Sequence, residues 1–231
     1  MKSSSTKSQN PAWKIVFWTF FFSSAYAVLR YHILGPVPWE RLPFFILNKI
    51  LSLCSLILLA FNFTFGPLKN LGVPIPNSWL RSRRLIGIVG FLMVFAHVVM
   101  SFMLYNPRIF AKFFNPDGTM TMIAAISMLT GVLGFMFLWV YNISFNSNFR
   151  KDKDLLNWVN SRKVLLTAMT FSGAHLFFMG YKGWLAIDHW EGGLPPISLV
   201  AFSFFVVGFV INLLGREDPE KIKSIKKNPS T

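Results

Sequence analysis

Residues 83–105 read RRLIGIVGFLMVFAHVVMSFMLY: two arginines, then an apolar run interrupted by one imidazole, His97, and closed by Tyr105. About 20 consecutive apolar residues in helical geometry cross the roughly 30 Å hydrocarbon core of a bilayer, so the stretch predicts a transmembrane helix. Working outward, runs of comparable length recur at 13–34, 43–65, 120–141, 164–185 and 197–214, which makes 85–105 the third of six. Breakers punctuate them: Gly35-Pro36-Val37-Pro38, Gly66-Pro67, Pro74-Ile75-Pro76-Asn77, Asn115-Pro116-Asp117-Gly118 and Gly192-Gly193-Leu194-Pro195-Pro196. The fold expected is all-α, a polytopic membrane protein built as a six-transmembrane-helix bundle over 13–214. A short tail (1–12) precedes it and a basic tail (215–231) follows, with no stretch large enough for a separate soluble domain.

Composition agrees. A chain of 231 residues that is 53% hydrophobic and 17% aromatic exceeds what a soluble domain of this size carries. The formal charge of +14 could suggest a nucleic-acid partner. The basic residues instead cluster between alternate apolar runs, where membrane topology accounts for them without nucleic acid. They are Lys2, Lys7 and Lys14 before the first run, then Lys69, Arg81, Arg83 and Arg84 before the third. Arg150, Lys151, Lys153, Arg162 and Lys163 precede the fifth, and Arg216, Lys221, Lys223, Lys226 and Lys227 follow the sixth. The other connections are poorer in Lys and Arg, so both termini are expected to be cytoplasmic. Ser23-Ser24-Ala25-Tyr26-Ala27 resembles a small-residue cleavage site, but removal of the first span would spoil this agreement of charge with an even helix count. Cys54 is the single cysteine, so neither a disulfide nor a cysteine-ligated metal is expected.

Two histidines lie inside apolar runs. An imidazole in hydrocarbon is costly unless it is hydrogen-bonded or ligated. His97 lies 13 residues beyond Arg84, and His175 lies 12 beyond Lys163. At 1.5 Å per residue both are roughly 18–20 Å from the cytoplasmic edge, a shared depth in the outer half. Two facing imidazoles on different helices suit the two axial positions of one heme iron, and filling both favours electron transfer over oxygen binding. His97 and His175 are therefore the expected cofactor and metal ligands, holding one heme b. Met93 and Met179, one turn away, are more readily read as apolar filler than as iron ligands. Gly87, Gly90, Gly131, Gly134 and Gly173 could admit either a flat macrocycle or a neighbouring helix. His32 and His189 fall near the outer ends of their runs and are read as interfacial. Lys49 and Asn48 are expected within snorkelling reach of the outer surface, with a heme propionate or a substrate as the sharper alternative for Lys49.

These residues carry a family resemblance. Arg83-Arg84-Leu85-Ile86-Gly87-Ile88 followed by His97, and Trp158 leading through Arg162-Lys163 to His175, resemble the third and fifth helices of the ferric-reductase-like transmembrane superfamily. Its members include the heme-binding membrane subunit of the bacterial methionine sulfoxide reductase system and the STEAP metalloreductases. The resemblance implies a b-type cytochrome that passes electrons across the membrane. Two-heme relatives carry a further inner histidine on each helix, where this chain has Arg83 or Arg84 and Arg162. A single outer heme is thus implied, with a gap on the cytoplasmic side. FMN or FAD held among the basic loops could bridge it, with Arg83, Arg84 and Arg150 as flavin-binding or donor-docking candidates and Arg81 and Lys151 beside them; as topogenic charges they need no ligand.

No Gly-x-Gly-x-x-Gly follows a strand pattern and no βαβ unit fits, so a separate electron donor is expected, a flavin reductase or a quinol. The acceptor would lie outside: ferric or cupric ion, or a partner oxidoreductase. A bacterial inner membrane suits the short loops. Two other readings keep the same histidines. In one, a non-redox transporter or assembly scaffold uses them as interhelical hydrogen-bond partners. In the other they ligate copper or zinc, for which the runs offer no third ligand at that depth.

Overall fold

Long apolar segments can satisfy their backbone polar groups within hydrocarbon only by forming helices, and every run does so. A computed structural model of the chain describes residues 11–143, 153–159 and 161–215. Arg150, Lys151 and the two tails, including Arg216 and the lysines after it, lie outside the described residues. Seven α-helices are present among those described: α1 (Pro11–Val28), α2 (Leu47–Asn70), α3 (Asn77–Leu104), α4 (Met122–Ile143), the short α5 (Lys153–Val159), α6 (Arg162–Leu185) and α7 (Ile197–Leu214). Six of them, all but α5, belong to segments long and apolar enough to cross a membrane. The chain is an integral membrane protein with a six-span bundle, and lipid is its natural surround. Large apolar side chains such as Phe17, Phe22, Leu92, Phe102 and Val207 are accordingly exposed on its flanks.

Two of the long helices differ in extent from the apolar runs. α3 starts at Asn77, not near residue 85, so Arg81, Arg83 and Arg84 occupy helix instead of loop. The start is set by Pro76, whose extended backbone (ψ 138°) leads straight into the first turn. α2 continues through Gly66-Pro67 to Asn70. Gly66 leaves room there for the guanidinium of Arg83, because a Cβ on it would come within 3.0 Å of Nη1. α6 begins behind Ser161, whose hydroxyl accepts the Val164 N–H as an N-cap.

The bundle has two ends. The distal end carries the connections 34–46, 105–121 and 186–196; the proximal end carries the start of α1 and the loop before α3. α2 packs most extensively on α3, and α4 on α6. α7 bridges α2 and α6, and α1 lies along α2 and α3. α3 and α4 touch only lightly. A seam therefore runs between the pair α2–α3 and the pair α4–α6. Small residues bring helices together as expected in a bilayer: Gly87 faces Asn62, Gly90 faces Leu58 and Leu59, and Gly134 faces Ser172. Toward the proximal end the seam is filled by Leu59, Phe63, Phe91, Leu138 and Ala168, with the Phe91 and Phe135 rings stacked 5.9 Å apart. α1 is built into this packing, since Ala12 and Val16 share a core with Cys54, Leu58 and Ile86.

Candidate cofactor site

In its distal half the seam opens into a cavity of about 210 Å³, large beside the ~10–15 Å³ that one water needs. Its wall follows the helical period. α2 contributes Asn48, Ser52, Ser55, Leu56 and Leu59; α3 contributes Val94, His97, Val98 and Ser101; α4 contributes Met128, Gly131, Val132 and Phe135; α6 contributes Ser172, His175, Leu176 and Met179. Both sequence-predicted histidines line this one space, from helices that belong to opposite sides of the seam.

Each imidazole is oriented through Nδ1. On α3, His97 Nδ1 lies 2.7 Å from Asn48 Oδ1, and Asn48 Nδ2 donates to Ser101 Oγ at 3.1 Å. With the amide so oriented, Oδ1 accepts from the ring. On α6, His175 Nδ1 lies 2.8 Å from the backbone carbonyl oxygen of Ser127. A carbonyl oxygen only accepts, so this ring carries its proton on Nδ1 and a lone pair on Nε2. Ser127 Oγ in turn donates to the His175 carbonyl at 3.1 Å. Neither Nε2 has a hydrogen-bond partner among the described residues. A proton-bearing Nδ1 tied to an acceptor, with Nε2 left free, is how protein metal sites fix a histidine ligand. Gly131 completes the pocket around His175: a Cβ there would lie 2.7 Å from Nδ1 of the ring.

The donor set is of the chemical kind that a heme iron takes. The donors are neutral nitrogens, their outer partners are in place, the surrounding wall is mostly aliphatic and aromatic, and the seam separates the two helices. For copper or zinc the same site is poor, because no group of three or more His, Cys, Asp or Glu side chains converges among the described residues.

The other expected residues fall as follows. Met179 reaches the cavity, whereas Met93 packs into the α1–α2–α3 core. Gly131 borders a histidine, while Gly87, Gly90 and Gly134 serve helix packing and Gly173 faces the Phe205 ring. His32 is held locally, its Nδ1 2.8 Å from the Val37 carbonyl and its ring on Trp39. Asn48 departs from the expectation that it snorkels: it is 4% exposed and its amide faces His97. Lys49 is half-buried. Its ammonium lies 5.5 Å from the Phe45 and Phe110 ring centroids, at the rim of the cavity. The π-helical turn Leu42–Ile46, just before α2, adds a residue to the register and so changes which face these two positions occupy.

At the proximal end two arginines are used on backbone. Arg83 Nε donates to the Asn62 carbonyl at 2.8 Å, tying α3 to α2. Arg162 Nη2 donates to the carbonyls of Asn212 and Leu213, capping the C-terminal end of α7. Arg81 and Arg84 are exposed on α3. Four residues escaped the sequence reading. Ser101 stands one turn after His97, a spacing that marks it. Ser127 acts through its backbone, which leaves no signal in sequence. Arg30, inside the first apolar run, and Lys112, between the third and fourth, come together only through the distal loops. The chain matches no protein-family model and no curated protein.

Proposed function

We propose that the chain is an integral membrane b-type cytochrome of the ferric-reductase-like kind, in which His97 and His175 would hold the iron of one heme. A heme held in this way supplies a one-electron carrier. The observation that carries the reading is the pair of imidazoles lining one cavity from opposite sides of the seam, each with Nδ1 engaged and Nε2 free. The protein's own contributions are the low-dielectric wall and the acceptors Asn48 and Ser127, which raise the basicity of the ligating nitrogens and so bear on the potential.

By the charge bias of the basic segments, the proximal end would face the cytoplasm and the cavity would lie near the outer face. A bacterial inner membrane suits this arrangement. Electrons would enter from a cytoplasmic donor, a flavin reductase or a quinol, and leave to ferric or cupric ion or to a partner oxidoreductase. The packed proximal half offers no second histidine pair, so FMN or FAD near Arg84 and Arg150, or a docked donor, would cover that distance. Arg83 is already committed to Asn62 and is the weakest of the three candidates.

The test is an optical spectrum of the purified protein, oxidised and dithionite-reduced, with heme quantified per chain. Sharp reduced α and β bands and about one heme per chain are expected, since bis-imidazole iron is low-spin. A colourless protein from cells supplied with heme would return the two histidines to interhelical hydrogen bonding in a transporter or scaffold.

A further inference from the structure

Beside the histidine cavity, toward the distal end, lies a second space of about 220 Å³. Three cations line it, Arg30, Lys49 and Lys112, together with Tyr31, His189 and Trp190, and no Asp or Glu is among its walls. Arg30 is 5% exposed, and its Nε and Nη1 are both buried without a hydrogen-bond partner. A guanidinium cannot shed its charge at any ordinary pH, so burying it without an acidic partner is costly. Lys49 sits close enough to Arg30 and Lys112 for their charges to act on it, which adds repulsion to desolvation. Lys112 is exposed, its ammonium 4.9 Å from the Phe113 ring centroid. The Tyr31 ring, 5.3 Å from the Arg30 guanidinium, and the Phe45 and Phe110 rings beside Lys49 offset part of these costs, but no acidic side chain lines the space; an anion would complete the pairing.

The backbone is arranged to put Arg30 there. Leu29–Ile33 is a π-helical turn at the end of α1, and Gly35 closes it so tightly that a Cβ would lie 2.7 Å from the Arg30 carbonyl. π-turns are rare and concentrate at functional sites. A second one, Leu42–Ile46, leads into Lys49. This space and the histidine cavity share Lys49, Phe110, Phe113, Met179 and Ser198 as walls, so the two lie side by side.

We propose that Arg30, Lys49 and Lys112 form a carboxylate-binding site at the outer edge of the histidine cavity. The unpartnered Nε–H and Nη1–H can each donate to an anionic oxygen, and two further ammonium groups from separate segments suit more than one acidic group. The carboxylates come from one of two sources: the propionates of the heme itself, in which case the site rests on the cytochrome reading and fixes which edge of the macrocycle faces outward, or a soluble polycarboxylate approaching from outside.

Full-length protein made without heme, in detergent, is titrated with metal-free protoporphyrin IX, with its dimethyl ester, and separately with citrate. Tryptophan quenching reports the porphyrins and calorimetry the citrate. Because no iron is present, ligation by histidine contributes nothing to the comparison. The diacid is expected to bind at least about tenfold more tightly than the diester, in keeping with a charge-assisted hydrogen bond. Arg30→Gln should erase the preference and Arg30→Lys should restore part of it. Lys112→Gln, at an exposed position, should reduce it even if the Arg30 variants fold poorly. Binding of citrate that depends on Arg30, without diacid preference, assigns the site to a soluble anion. The same citrate result with no porphyrin bound at all sinks the cytochrome reading and keeps the site. Equal affinity for diacid and diester, together with no Arg30-dependent citrate binding, overturns the proposal.

Discussion

The distal and proximal halves of the bundle are built from the same helices and the same kinds of residue, yet they use their polar groups in opposite ways. In the distal half Asn48, Ser101 and Ser127 orient two imidazoles whose Nε2 atoms are left free, and Arg30, Lys49 and Lys112 line a second space. In the proximal half Arg83 and Arg162 are spent on backbone carbonyls, and the seam is filled by aromatic and aliphatic side chains. Membrane helices have little hydrophobic drive to associate in lipid, so polar contacts and close packing hold them. Polar groups that fasten nothing are then the ones to examine for function.

Substitutions separate the two halves, and the largest effects belong to the distal one. His97→Ala or His175→Ala should reduce heme from about one per chain to near zero while membrane insertion persists; full low-spin heme in either variant removes that residue from the ligand set. Asn48→Leu takes away the acceptor of His97 Nδ1 at nearly constant volume and should weaken heme binding about 10–100-fold, read by heme transfer to an apo-globin acceptor. Gly131→Ala should perturb the visible and EPR spectra through His175 with less loss of affinity, because the added methyl meets the ring rather than replacing its partner. In the proximal half, Arg83→Met should lower unfolding stability in detergent by about 1–3 kcal/mol, as for a lost charge-assisted hydrogen bond, and leave heme per chain unchanged. If Arg83→Met instead strips the heme, the division between halves fails. The smallest effect is expected of Ser127→Ala, since the carbonyl that holds His175 belongs to the backbone and survives the substitution.

Much of the fold was legible because hydrocarbon thickness imposes a length on each helix, and six apolar runs of that length are plain in the chain. Helix ends were less so. Pro67 and the arginines at 81–84 read as loop, but a proline near a helix end loses few hydrogen bonds and long basic side chains extend a helix past the hydrocarbon. At the site, His97 and His175 were visible as polar interruptions at matched depth. Asn48 was misassigned because a local insertion, the π-turn before α2, turns its face inward. Arg30 and Lys112 are separated by 82 positions and meet only through the distal loops, so no periodicity joins them.

The central claim is that His97 and His175 share one iron, and the low-temperature EPR spectrum of the ferric, purified protein tests it most directly. The account predicts a low-spin bis-imidazole signal that integrates to about one per chain and disappears when either histidine is replaced by alanine. A high-spin signal unchanged by both substitutions, or no heme signal in protein made with ample heme, would contradict it.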